Sequence, residues 1–134
     1  MSVGILIVSH SEDAAKGISQ IATEMSGGNV EIAGIGGDGE GGLGVPVIKV
    51  FDALSLLLPK TEGIAVIPDI GSSILSVRGA LEMLPPEGAA KVAIVDTPAL
   101  EGAMLAAVEA GGGGTLEQVV DAAIEARNLK KTDH

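Results

Sequence analysis

Val3-Gly4-Ile5-Leu6-Ile7-Val8-Ser9-His10-Ser11-Glu12-Asp13 is an apolar, β-branched run that ends in a histidine and passes directly into a polar helix start. Such a run, without alternation, reads as a strand buried on both faces, as in a parallel sheet. Ser11 has the form of an N-cap, and Glu12 and Asp13 suit the first turn of a helix. The opening therefore predicts a strand over 3–8 and a helix over 11–25 that stops at Gly27-Gly28. Ile18, Ile21, Ala22 and Met25 recur at helical spacing and are expected to form its buried face. His10 is the histidine inside patterned sequence, and His134 is the last residue. A histidine at the carboxyl end of the first strand of an α/β domain lies where such folds hold ligands. It is also the side chain most easily set up as a nucleophile or proton carrier near neutral pH.

The same alternation continues along the chain. Strands are predicted over 30–35, 63–68 and 90–95. Helices are predicted over 45–58, with Pro46 in the first turn and Pro59 closing it, and over 73–84, broken by Pro85-Pro86. Two more follow over 99–110, after Thr97-Pro98, and over 115–127, after the polar start Thr115-Leu116-Glu117-Gln118. Strands alternating with helices imply an α/β fold: a three-layer α/β/α domain with a four-stranded parallel sheet and right-handed crossovers. The last two helices have no strand between them, so the sheet is expected to stop at four. One domain over 1–128 and a polar, frayed tail over 129–134 complete the expected organisation. The glycine-rich stretches 36–44 and 111–114 read as loops, the first as a mobile surface loop. It has no Gly-Lys-Ser/Thr, so it is not a P-loop.

Composition narrows the function. The chain has 134 residues, enough for one domain with a real core. No apolar run approaches the roughly 20 residues that span a bilayer, and no basic residue precedes Lys16, as a secretory signal requires. A soluble cytoplasmic protein without membrane insertion is expected. The absence of cysteine excludes disulfides, thiolate catalysis and zinc–thiolate sites. No metal is expected, because only one internal histidine exists and no carboxylate cluster has ligand spacing. With no Trp, no Tyr and one Phe, there is little surface on which a sugar or nucleobase stacks. The net charge of −10 opposes binding to nucleic acid or anionic lipid. It suits a basic protein partner, and equally plain solubility.

In a flavodoxin-like strand order, strands 1 and 3 are neighbours at the point where winding reverses, and ligands bind in the crevice there. Strand 1 ends at His10 and strand 3 at Asp69, which places both on one crevice. An Asp that accepts the Nδ1 proton fixes the tautomer and leaves the Nε2 lone pair free to attack. Gly71, Ser72 and Ser73 open a helix whose N–H groups and hydroxyls suit a phosphoryl group, and Ser9 and Ser11 add donors. Together they read as a phosphoryl acceptor, since phosphoryl transfer needs little beyond positioning and charge stabilisation. The plainer readings are a structural histidine at His10 and a simple turn and helix cap at Asp69-Ile70-Gly71-Ser72. A Ser-His-Asp hydrolase fits poorly, because there is no Gly-x-Ser-x-Gly elbow.

Several segments occur in one order: Ile7-Val8-Ser9-His10-Ser11, Gly42-Leu43-Gly44 with Lys49-Val50, Asp69-Ile70-Gly71-Ser72, and Thr97-Pro98-Ala99-Leu100-Glu101-Gly102. In these the chain, over about residues 3–127, resembles the phosphotransferase subunits of phosphoenolpyruvate-dependent dihydroxyacetone kinases, within the mannose-type enzyme IIA fold of the bacterial phosphotransferase system. The resemblance implies a sheet of order 2-1-3-4 and a homodimer. It also implies that His10 is phosphorylated on Nε2 by the phosphocarrier protein HPr, with Asp69 as the orienting carboxylate. The phosphoryl group would pass to ADP held on a nucleotide-binding partner subunit, for phosphorylation of dihydroxyacetone. This chain itself would bind no cofactor tightly. Val45-Pro46 stands where such chains carry small hydroxyl residues, and Pro68 stands where a less restricted residue is usual. The alternatives are a mannose-type sugar-transporter enzyme IIA that passes phosphate to a IIB domain, and a non-enzymatic regulatory module of the same fold.

Overall fold

The opening apolar run becomes the centre of the sheet. The computed structural model describes residues 1–133, so His134 lies outside the described residues. β1 (Gly4–Ser9) is buried at every position. It pairs in parallel with β2 (Ile32–Gly36) on one side and β3 (Ile64–Pro68) on the other, and β3 pairs in parallel with β4 (Val92–Ile94). The order is β2-β1-β3-β4, as the resemblance implied. The helices are α1 (Glu12–Ser26), α2 (Val47–Leu57), α3 (Gly71–Met83), α4 (Pro86–Ala89), α5 (Ala99–Gly111) and α6 (Leu116–Ile124).

Alternate strand residues feed two cores, because successive side chains point to opposite faces. Ile5, Ile7, Ala65 and Ile67 pack with α1, α5 and α6. Leu6, Val8, Ile64 and Val66 pack with Val50, Leu54 and Leu57 of α2 and Val77 and Ala80 of α3. The first core is rich in small residues: Ala15, Ala22, Ala103, Ala106, Ala107 and Ala110 are all fully buried. Backbones approach closely on this side. A Cβ on Gly34 would run into the Ala15 carbonyl, and one on Gly111 into the Ser26 carbonyl. The buried face of α1 is therefore Ala15, Ala22 and Ser26. Ile21 and Met25, expected on that face, are 44% and 47% exposed.

Element ends differ from the expectations for identifiable reasons. Residue 45 precedes a proline, which disfavours the helical region. Accordingly Pro46 is the N-cap of α2 rather than in its first turn, and the Val45 carbonyl accepts from Ser76 Oγ at 2.6 Å. Pro59 does not end the structure, since the chain runs on through a 3-10 turn over Leu58–Lys60. Leu84 turns extended before Pro85, and Pro86, read as a breaker, occupies the first turn of α4. β4 is shorter than expected. The ladder alternation makes Pro68 the next donor toward β4, and proline has no N–H to give. α6 gives way to a 3-10 turn over Glu125–Asn128, and in the tail Lys131 Nζ lies 3.3 Å from Glu101.

No helix among the described residues is long and apolar enough to cross a membrane.

Candidate active site

Parallel neighbours end at the same level, so the carboxyl ends of β1 and β3 deliver their following residues to one place. Val8 is in register with Pro68, and the Asp69 N–H donates to the Val8 carbonyl at 2.9 Å. His10 and Asp69, fifty-nine residues apart, meet across this edge. The ring Nδ1 lies 3.2 Å from both carboxylate oxygens. His10 and Asp69 side chains are 28% and 21% exposed, so the pair is sheltered without being sealed.

Asp69 is held from several directions. Its Oδ1 accepts from the Ile70 N–H at 2.8 Å and from Ser73 Oγ at 2.5 Å. Its Oδ2 accepts from the His10 N–H at 2.9 Å and from Ser9 Oγ at 3.1 Å. Burial pushes the carboxyl upward, but the hydrogen bonds from Ser73, from the His10 and Ile70 backbone and from the His10 ring outweigh it, holding it at about 2. An ionised carboxylate only accepts, so the proton between it and Nδ1 belongs to the ring. Nε2 is then the nitrogen with a lone pair, and Ser72 Oγ, 2.9 Å away, is its donor. Both contacts are satisfied by the single Nδ1–H tautomer.

The helix start stands opposite. Ile70 is the extended N-cap of α3, so Gly71, Ser72 and Ser73 form its first turn, two residues earlier than expected. The first N–H groups of a helix have no intrahelical acceptor. That of Ser73 turns back to the Ile70 carbonyl at 3.1 Å, whereas Gly71 and Ser72 present theirs at the helix end. Nothing lies within 4 Å of where a Cβ on Gly71 would be, so there is open space on that side of the helix start.

Of the residues named from the sequence, His10, Asp69 and Ser72 come together around the ring, and Gly71 opens the helix that carries Ser72. Ser9 and Ser73 are buried and turn their hydroxyls to Asp69. Ser11 caps α1, accepting from the Ala14 N–H at 3.1 Å. The 36–44 loop has a part that its composition did not announce. It folds on Asp38, whose Oδ1 accepts from the Glu40 and Gly42 N–H groups, and the Gly44 N–H then donates to the His10 carbonyl at 2.9 Å. Gly36 belongs to the same arrangement, because a Cβ there would run into the Ser9 carbonyl. The sequence places Gly36 in the loop, whereas in the structure it is the last residue of β2, where a glycine marks close backbone approach. Among the described residues, no group of three or more His, Asp or Glu side chains is placed to hold a metal ion.

A histidine–carboxylate pair, with a hydroxyl on the second ring nitrogen and a helix start beside it, stands at the switch point of a four-stranded parallel sheet, and these features define the class: an α/β domain with one histidine held at its strand ends. The chain belongs to the EIIA-man family, described as the PTS system fructose IIA component, which matches residues 4–120. It is 39% identical over 107 residues to the PEP-dependent dihydroxyacetone kinase 2 phosphoryl donor subunit DhaM of Listeria innocua, covering 80% of this chain and 85% of that one. It is 33% identical over 132 residues to the corresponding Escherichia coli K12 subunit, covering 96% of this chain but only 28% of that longer protein. A solved structure, described as unknown function protein EF1359, matches with TM-score 0.84 at 31% identity, over 100% of this chain and 99% of that one.

Proposed function

We propose that the chain is the phosphoryl donor subunit of a phosphoenolpyruvate-dependent dihydroxyacetone kinase, and that His10 carries the phosphoryl group. The observation that carries the assignment to His10 is the double contact of the ring: Nδ1 on an ionised Asp69, Nε2 free to react beneath Ser72. The likeness to subunits bearing that role in Listeria innocua and Escherichia coli supports the particular system.

The donor is a phosphohistidine on HPr. The Nε2 lone pair attacks its phosphorus in line, a new N–P bond forms, and the donor N–P bond breaks. The Nδ1 proton stays on the ring, and the Asp69 anion balances the positive charge that develops there. The Ser72 hydroxyl leaves Nε2 and donates to a phosphoryl oxygen, alongside the Gly71 and Ser72 N–H groups. In the second step the phosphoryl group passes to ADP held on a nucleotide-binding partner subunit, and His10 returns to its starting tautomer. Ile70, next to Asp69, and Leu43, next to the Gly44 that bonds the His10 carbonyl, are 60% and 75% exposed and give a partner apolar surface to cover. The chain works in the cytoplasm as a homodimer, with 1–128 as one phosphotransfer domain and no tightly bound cofactor of its own.

The test is phosphorylation by phosphoenolpyruvate, enzyme I and HPr. Wild type takes up an acid-labile, base-stable label, and His10→Ala takes up none. The ADP-loaded kinase subunit discharges the label, whereas a sugar-transporter IIB domain does not. A wild-type chain that stays unlabelled by active HPr ends the relay reading; discharge by IIB alone reassigns the acceptor.

A further inference from the structure

We infer that Ser9 and Ser73 are positioning residues that clamp the Asp69 carboxylate from both sides and, through it, fix the reactive tautomer of His10. The clamp deepens the relay reading, and its value to phosphoryl transfer rests on that reading.

Four observations support it. Ser9 is 2% exposed and Ser73 is fully buried, so neither hydroxyl faces the opening through which a phosphoryl group reaches Nε2. Each serves a different oxygen, Ser9 Oγ donating to Oδ2 at 3.1 Å and Ser73 Oγ to Oδ1 at 2.5 Å. The Ser9 oxygen also accepts the Ser11 N–H at 3.1 Å, which leaves its own proton for the carboxylate. The Ser73 oxygen lies 3.3 Å from Nδ1, so its lone pairs face the ring N–H while its proton is committed to Asp69.

The carboxylate thus receives one hydroxyl and one backbone N–H on each oxygen, before the ring is counted. Such an anion needs no proton from His10 and cannot rotate without breaking four hydrogen bonds, three of them part-buried, which is costly. It stays ionised and symmetric about Nδ1, and the proton stays on Nδ1. The groups that face the carboxylate are His10 from the end of β1, Ser9 within β1, and Ile70 and Ser73 at the start of α3. His10 is the titratable one among them.

The test uses the full chain without any phosphoryl donor: a carboxyl-carbon NMR titration of Asp69 and the ring-nitrogen shifts of neutral His10. Ser73→Ala loses one charge-assisted hydrogen bond, so the Asp69 midpoint rises by about one pH unit. The Nε2–H tautomer gains population at the same time. Ser73→Thr, which keeps the hydroxyl, restores both, and Ser9→Ala repeats the effect from the other oxygen. An Asp69 midpoint and a His10 tautomer unchanged in both alanine variants overturn the clamp. Labelling by phospho-HPr is then measured on the same proteins, with a fall of roughly tenfold expected in Ser73→Ala. If wild type does not label while the titrations shift as described, the relay reading falls and the clamp stands.

Discussion

Asp69 decides which nitrogen of His10 carries the proton. Its oxygens are both 3.2 Å from Nδ1, and an anion there accepts but does not donate. Asp69→Asn replaces one oxygen with a donor and removes the negative charge beside the ring, which in the proposed relay balances the phosphorylated form. The rate of labelling by phospho-HPr is expected to fall by about 10²–10⁴ with the far-UV circular dichroism unchanged. An unchanged rate would reduce Asp69 to a turn residue. Ser72→Ala is the milder change. It removes the hydroxyl 2.9 Å from Nε2 but leaves the tautomer in place, so labelling slows by roughly tenfold and the ring-nitrogen shifts still report Nδ1–H. The pairing of His10 with Asp69 was legible from two strand ends alone. The division of labour among the serines was not. Ser9, Ser72 and Ser73 are alike in the sequence, and only their burial and direction separate a group that holds Asp69 from one that sits on Nε2.

At the scale of elements, the apolar period located every main strand and helix but misjudged how α1 packs. A pattern read by hydrophobicity favours Ile21 and Met25, whereas the closest contacts are made by Ala15 and Ser26 against glycine backbone. Close approach of backbones selects small residues, and a hydropathy pattern does not weigh size. Gly34→Ala tests this contact. Its Cβ has no space beside the Ala15 carbonyl, so overpacking is expected to lower Tm by roughly 5–10 °C. A variant as stable as wild type would show that α1 can move away at little cost. α6 offers a second test at its start, where Thr115 accepts the Gln118 N–H and Gln118 returns a bond to the Thr115 N–H. Thr115→Ala removes half of this capping box and is expected to cost about 1 kcal/mol in urea unfolding.

For the whole molecule, the acidic site residue links pH to stability. The folded Asp69 carboxyl is held at about 2, below its ordinary 3.8, so the unfolded chain binds that proton more readily. The resulting stabilisation is complete above the ordinary value and is lost as pH falls through the folded one. Urea midpoints are therefore expected to decline between about pH 4 and pH 2, and to decline less in Asp69→Asn. Equal slopes in the two proteins would show that the carboxylate is not stabilised by folding.

The sequence by itself determined the alternation of four strands with helices, the placement of a histidine and an aspartate at two strand ends, and the exclusion of thiol chemistry. These follow from periodicity, turn residues and composition, which act over a few residues at a time. Tertiary structure decided the rest. Stopping β4 at Ile94 needs the partner strand's Pro68, which cannot donate the next rung. Tying Gly44 to His10 needs the 36–44 loop folded on Asp38. Turning Ser9 and Ser73 inward needs β1, β3 and α3 assembled, because a hydroxyl's direction is set by the buried partner it must satisfy, and here that partner, Asp69, lies sixty residues along the chain from Ser9.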